Sequence, residues 1–209
     1  MAGNFNTIDH EKKNAKLLDE EPICRICLSE DEPGNRLIAP CKCVGSVKYI
    51  HLNCIQEWLE GKKHKKETDF VNSYIWRGLE CEICKAFYND IWTDPKTGEE
   101  TSLLKFDIHP DAEHYAIIES VTNSSSKTIH VINFSASQDI KVGRGSQCEV
   151  RITDVSVSRH HSTLELMHHN NGKGKITPYL RVMDENSKFG TLVFVRKPIP
   201  LPSNKKLTL

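Results

Sequence analysis

Between residues 114 and 209 the apolar positions fall in short runs rather than in helical stripes. AIIESV, KTIHVINF, DIKVG, EVRI, STLELM, YLRVMD and TLVFV are together rich in Val, Ile, Thr and Phe. NSSSK, GRGSQ, HHNNGKGK and DENSKFG separate several of them with turn-forming residues. Short strands at that spacing predict an all-β sandwich over 114–209. Residues 1–21 are polar and charged, and read as a tail or a short helix. Residues 93–113, TDPKTGEETSLLKFDIHPDAE, carry two prolines and turn dipeptides and read as a linker. The segment between them, 22–92, holds few large apolar side chains and needs some other source of cohesion. No internal repeat is visible, and GKKHKKE at 61–67 is the only low-complexity stretch.

Composition narrows the classes. The chain has 209 residues, 38% hydrophobic and 27% charged, with 28 Lys+Arg against 28 Asp+Glu. A formal charge of zero argues against a generic nucleic-acid or membrane-surface binder, whose grip needs a basic surplus. No apolar run approaches the ~18 residues of a spanning helix. The opening MAGNFNTIDHEKKNAKLLDEE has no apolar stretch of the kind a secretory leader carries, so an intracellular location, cytoplasmic or nuclear, is expected.

Cysteine changes the picture most. Cys24, Cys27, Cys41, Cys43, Cys54, Cys81 and Cys84 lie within 24–84, and Cys148 stands apart. An odd number of clustered thiols is a poor disulfide framework, and an intracellular compartment keeps them reduced. Their order is C-x2-C, thirteen residues, C-x-C, seven residues, H-x2-C, twenty-six residues, C-x2-C. Each close pair sets two soft donors on one tight turn, and with His51 there are eight ligands, enough for two closed tetrahedral Zn²⁺ sites. Closed sites hold a fold together rather than activate water. His64 sits in the Lys-rich run outside this spacing and reads as a solvated loop residue; Cys148, just after GRGSQ, reads as a small half-buried residue.

The knuckle around Cys24-Arg25-Ile26-Cys27, the stretch CKCVGSVKYIHLNCIQEWL and the segment CEICKAFY resemble the RING-CH (RING-variant, C4HC3) zinc finger of membrane-associated RING-CH ubiquitin ligases, over residues 23–88. The resemblance implies a cross-braced α+β module: Cys24, Cys27, His51 and Cys54 on one zinc, Cys41, Cys43, Cys81 and Cys84 on the other. A plant-homeodomain finger, a histone reader, shares the C4HC3 order. Such fingers place an aromatic two residues before the seventh ligand, where this chain has Leu79, and keep a shorter gap between the fourth Cys and the His. Both features favour RING-CH.

The resemblance further implies an E3 ubiquitin ligase that docks a ubiquitin-conjugating enzyme and acts by positioning, with no covalent intermediate and no catalytic residue of its own. Ile26 and Trp58 occupy the family's docking positions, with simple packing around the zinc loops as the alternative. Lys85 stands where strongly active RINGs have Arg, and a point charge does not reproduce the planar guanidinium fork.

KVGRG at 141–145, SVSRHHSTLEL and DENSKFGTL resemble a forkhead-associated (FHA) domain, a β-sandwich that recognises phosphothreonine through loops at one end. A phosphate with its negative charge and several acceptors wants Arg, hydroxyl and amide donors converging from separate loops. The resemblance places Arg144, Ser158, Arg159 and Lys188 on the phosphate. It makes His161 a brace for the Ser158 loop, and gives Gly143 and Gly190 to tight turns. His160 has no matching role and reads as an exposed loop residue. Phe194 stands where many FHA domains have Asn, and Phe189 precedes Gly190 in a Lys-aromatic-Gly variant. A sandwich ending at Leu209 is still owed one or two strands, so its edge is expected to need a partner chain or an extension.

Two main functions follow as expectations, with a PHD-like histone reader as a third. One is a ligase or ligase-like adaptor that recruits phosphothreonine-containing partners to a charged conjugating enzyme. The other is a non-catalytic docking protein using the same two modules within a larger assembly. Charge supports a division of labour: residues 1–95 hold 13 basic and 16 acidic residues, and 96–209 hold 15 and 12.

Overall fold

The computed structural model describes residues 21–121, 125–134, 139–170, 172, 174, 176–192 and 194. In chain order they form β1 (Leu37–Ile38), a 3-10 turn (Gly45–Val47), β2 (Ile50–His51), α1 (Leu52–Glu60), β3 (Lys63–Glu67), β4 (Val71–Arg77), β5 (Ile91–Thr93), β6 (Glu100–Ser102), β7 (Tyr115–Glu119), β8 (Ser126–Asn133), β9 (Ile140–Gly143), β10 (Val150–Arg151), β11 (Ser162–Asn170) and β12 (Ile176–Asp184). Two compact units result: residues up to Trp58 with Glu80–Leu103, and Leu59–Leu79 with the chain from Leu104 onward. The expected tail at 1–21 lies almost wholly outside the described residues.

The first unit is small and metal-ligand rich. β1 and β2 pair antiparallel, Leu37 opposite His51. α1, whose last two residues are counted with the second unit, is amphipathic: Ile55 and Leu59, one turn apart, are buried, while Asn53 and Glu57 face water. β5 and β6 form a hairpin closed by Asp94-Pro95-Lys96-Thr97-Gly98-Glu99, with Gly98 at φ +73°. Arg36 steadies it, with an ion pair to Asp94 at 2.5 Å and its guanidinium carbon 4.7 Å from the centre of the Trp92 ring. The first part of the expected linker is therefore a folded hairpin. Its turn residues mark a tight β connection rather than a spacer, and Leu103, the residue after β6, is buried.

The second unit is a two-layer β structure. One sheet runs β3-β4-β8-β7 and the other β10-β9-β11-β12. Val71, Ile132, Phe134, Ile140, Val142, Val150 and Leu164 close the core. Two of its four-stranded layers' members, β3 and β4, come from between Cys54 and Cys81, inside the stretch that resembles the finger. β4 pairs along its whole length with β8, from Val71 opposite Ile132 to Arg77 opposite Ser126. On the far face Tyr74 and Trp76 are fully buried and stack at 6.1 Å. Tyr74 also meets Phe106 at 6.0 Å, and its hydroxyl donates to the carbonyl of Asp107 at 3.1 Å. In the rest of the expected linker, Phe106 and Asp107 thus pack against β4. His64 is exposed as expected, but on strand β3 rather than in a loop.

Ser73 and His130 sit opposite each other across β4 and β8, both buried, with the Ser73 hydroxyl 2.8 Å from His130 Nδ1. β12 ends its sheet, with Tyr179, Leu180 and Val182 exposed. The last expected strand, TLVFV at 191–195, lies partly outside the described residues; Thr191, Leu192 and Phe194 are in no strand.

Candidate functional site

Eight ligands gather into two groups of four: Cys24, Cys27, His51 and Cys54 in one, Cys41, Cys43, Cys81 and Cys84 in the other. Within each group the ligand atoms lie within 4.8 Å of one another. A tetrahedral zinc with ~2.3 Å bonds to sulfur would set two sulfurs about 3.8 Å apart; the Sγ atoms of Cys43 and Cys81 are 3.7 Å apart. His51 Nδ1 lies 3.1 Å from Cys27 Sγ and 4.0 Å from Cys54 Sγ. Its other nitrogen, Nε2, is 2.7 Å from the Glu30 carbonyl, so it carries the proton and leaves Nδ1 free for metal.

The thiols themselves ask for a cation. Burial pushes Cys43 up to about 12, and its neighbours Cys41, Cys81 and Cys84 push the same way. At Cys81 burial opposes ionisation, but the backbone amides of Cys84 and Ile83 together with the Cys41 and Cys43 thiols outweigh it and bring the thiol down to about 6. In the other group burial pushes Cys54 up to about 12, while the Ser29 amide holds Cys27 below its ordinary value. In each group, then, burial and the neighbouring thiols oppose the ionisation of at least one thiol, Cys43 in one and Cys54 in the other. Two Zn²⁺ ions fit this donor set, one per group, and would supply structural cross-links rather than an open coordination position.

The two C-x2-C knuckles share one local geometry. Leu28 N donates to Cys24 O and Lys85 N to Cys81 O, each at 2.9 Å. Leu28 and Lys85 stand in the left-handed region, at φ 64° and 58°. Between the knuckles a groove of ≈ 220 Å³ is lined by Arg25, Ile26, Ile55, Trp58, Ile83 and Tyr88 among others. Ile26 is 47% and Ile83 59% exposed, so apolar surface faces water there. Trp58 packs edge-on against Tyr88 at 5.7 Å.

In the second unit the loops after β9, before β11 and after β12 converge. Arg144 N donates to the Ser158 carbonyl and Gly145 N to the Arg159 carbonyl, both at 2.9 Å. Arg144 Nε donates to the Val157 carbonyl at 3.1 Å. Ser158 N donates to His161 Nδ1 at 3.2 Å, and the Ser158 hydroxyl accepts from Lys188 N at 3.0 Å. Arg144, Arg159 and Lys188 are exposed around that hydroxyl's loop. Gly190 has the left-handed φ of +77° that a turn glycine serves. Gly143 has a different reason: a Cβ there would come 2.4 Å from the Arg159 carbonyl oxygen. His160 is exposed and bonds Thr163 Oγ1 at 3.2 Å, and Cys148 is buried with its thiol 3.1 Å from the Arg159 carbonyl.

Three features escape the sequence reading. Arg25 spans from one ligand group to the other, the Glu30 carbonyl fixes His51, and Asp184 holds the loop carrying Lys188. Asp184 accepts from the Ser187 and Thr191 hydroxyls at 2.6 and 2.8 Å, which with the Ser187 amide keeps its carboxyl below the ordinary range. Only Asp184 had a local signal, an Asp followed three residues later by Ser.

Residues 24–84 match the RING-variant domain model and residues 140–209 the FHA domain model. The human E3 ubiquitin-protein ligase MARCHF6 is 42% identical over 66 residues, covering 32% of this chain and 6% of that protein. MARCHF7 of Pongo abelii is 34% identical over 92 residues, 44% of this chain and 11% of that one. The ERAD-associated E3 ubiquitin-protein ligase DOA10 of Saccharomyces cerevisiae is 42% identical over 79 residues, 36% and 6% respectively. The chain thus spans only a small part of the length of these relatives, and no solved structure matches it. Among the described residues no helix is long and apolar enough to cross a membrane. The chain joins a RING-variant zinc-binding domain, of the kind carried by MARCH-type E3 ligases, to an FHA domain.

Proposed function

We propose that the chain is an E3 ubiquitin ligase that selects its substrates by phosphothreonine. The observation that carries the ligase half is the groove between the zinc knuckles, where Ile26, Ile83 and Trp58 offer apolar surface to a conjugating enzyme. Docking there holds the ubiquitin thioester in a reactive conformer, and the rate gain comes from restricted geometry rather than from a nucleophile. Arg144, Ser158, Arg159 and Lys188 take the phosphate of a phosphothreonine partner, and the Ser158 hydroxyl, which accepts from Lys188 N, keeps its own hydrogen to donate to a phosphate oxygen. A bound substrate is then held at a raised effective concentration near the charged enzyme. A compartment that keeps eight thiols reduced, the cytosol or nucleus, suits this reading.

The test is polyubiquitin formation by the zinc-loaded chain with a panel of conjugating enzymes, alongside Ile26→Ala and Trp58→Ala. Activity lost in both variants with zinc retained supports the reading; no activity with any enzyme overturns it. For the FHA half, a phosphothreonine peptide array is compared with Arg144→Ala, and equal binding by both removes phosphate recognition.

Lys85 favours a second reading, a docking protein without transfer activity, because an exposed lysine in a left-handed turn replaces the guanidinium fork. Lys85→Arg separates the two: it raises ubiquitin discharge if the chain is a ligase and leaves a docking protein silent.

A further inference from the structure

Arg25 lies in the first knuckle, between Cys24 and Ile26, and its main chain is tied to β2's approach by a bond from Arg25 N to Tyr49 O at 3.0 Å. Its neighbours Cys24 and Cys27 belong to the group containing His51. Its side chain leaves that group and crosses to the other. Nη1 reaches Cys41 Sγ at 3.7 Å and the Val47 carbonyl at 2.7 Å. Nη2 reaches Cys81 Sγ at 3.4 Å and the Tyr88 hydroxyl at 3.3 Å. Each terminal nitrogen thus addresses one ligand sulfur and one oxygen, a division that suits the flat fork of a guanidinium and not a single ammonium.

Charge explains the direction of the reach. A divalent ion does not neutralise a full set of thiolates, and the all-sulfur group keeps one more negative charge than the group in which neutral His51 replaces a thiolate. The half-buried cation sits on the more negative of the two. N–H donors to metal-bound sulfur draw electron density from it, which makes the sulfur a poorer target for the proton that would start metal release. The same fork fixes the sulfurs of Cys41 and Cys81, which come from separate segments of the chain.

We propose that Arg25 is a positioning residue for the all-sulfur zinc site, holding the metal of Cys41, Cys43, Cys81 and Cys84 from a knuckle that ligates the other metal. The cross-brace then has a third, electrostatic tie beside the two ions. Through the Tyr88 hydroxyl the tie extends to the wall of the groove, since Tyr88 packs on Trp58. The proposal depends on the two metal groups alone and stands or falls separately from ligase activity.

The experiment uses the full chain loaded with Co²⁺, whose all-sulfur and His-containing sites have different visible absorption, and follows transfer of each metal to a chelator. Arg25→Met keeps the stem and removes the fork; Arg25→Lys keeps the charge alone. Outer ligand partners of this kind shift metal affinity by about ten- to a hundred-fold. Arg25→Met is therefore expected to release the all-sulfur metal at least ~10-fold faster with the His51 site unchanged, and Arg25→Lys to fall between. Unchanged release from both sites overturns the proposal, and so does equal acceleration of both, which reports general loosening of the knuckle. If Arg25→Met does not load, the same two criteria apply to Arg25→Lys.

Discussion

Acid should weaken the β unit through a single imidazole. His130 is 5% exposed, opposite Ser73 in the middle of the β4–β8 pairing. Burial alone holds its pKa down, to about 4 from the ordinary 6.5. In the unfolded chain the ring takes its proton near pH 6.5, whereas in the folded sheet it resists until about pH 4. Across that window the unfolded state binds more protons, so falling pH favours unfolding. The contribution is complete above about pH 6.5 and is lost progressively toward pH 4. At about 1.4 kcal/mol for each unit of pKa, the loss comes to about 3 kcal/mol, a large part of the stability of a unit this size.

The assay is urea unfolding read from the amide signals of β8, at steps between pH 4 and 7.5, for the native chain and His130→Phe. Protonation of the thiol ligands affects both proteins and cancels in the difference between them. That difference should fall by about 3 kcal/mol from the neutral to the acid end. The His130 ring signal of the native chain should show no titration above pH 5. A ring that titrates near 6.5, or two stability curves that run parallel, would refute the reasoning.

Core and loop substitutions give three further outcomes. Ile132→Ala, at a fully buried position of the second unit's core, should cost about 2–5 kcal/mol in thermal unfolding. Gly143→Ala forces its new methyl against the Arg159 carbonyl and the Cys148 sulfur at 3.0 Å. It should cost about 1–3 kcal/mol and weaken phosphopeptide binding in calorimetry by shifting Arg144 from Ser158. Lys85→Gly removes a Cβ from a left-handed turn and should stabilise the metal-loaded first unit by ~1 kcal/mol. Metal removal by a chelator should abolish amide protection around β1 and β2 while sparing that of β4 and β8, by hydrogen exchange.

The metal groups are readable from the sequence because zinc ligation is short-ranged and chemically narrow. A C-x2-C turn presents the same two sulfurs wherever it occurs, and the structure gathers the eight named ligands into the two expected groups. The strands from 115 to 184 were equally plain, since Val, Ile and Thr runs between turn residues leave little else to form. The β3–β4 hairpin was not. Lys63-His64-Lys65-Lys66-Glu67 has no apolar alternation, because an edge strand guarded by lysines needs none. β4 has strand-forming residues, but the strand it pairs with along its whole length lies about fifty residues later, and pairings of that range leave no local mark. Arg25 was invisible for a related reason: its neighbours in sequence belong to one metal and its contacts to the other.

The late partner of β4 also bears on how the chain is made. A ribosome adds ~5–20 residues each second, so β4 waits some seconds before β8 follows it out. During that interval Val71, Tyr74 and Trp76, all buried in the finished sheet, have only the lysine-rich β3 beside them. The nascent chain therefore passes through a sticky half-built state whose lifetime is set by translation speed. Slower synthesis across residues 78–125 would prolong that exposure, and a chaperone that shields aromatic strands would find its target there.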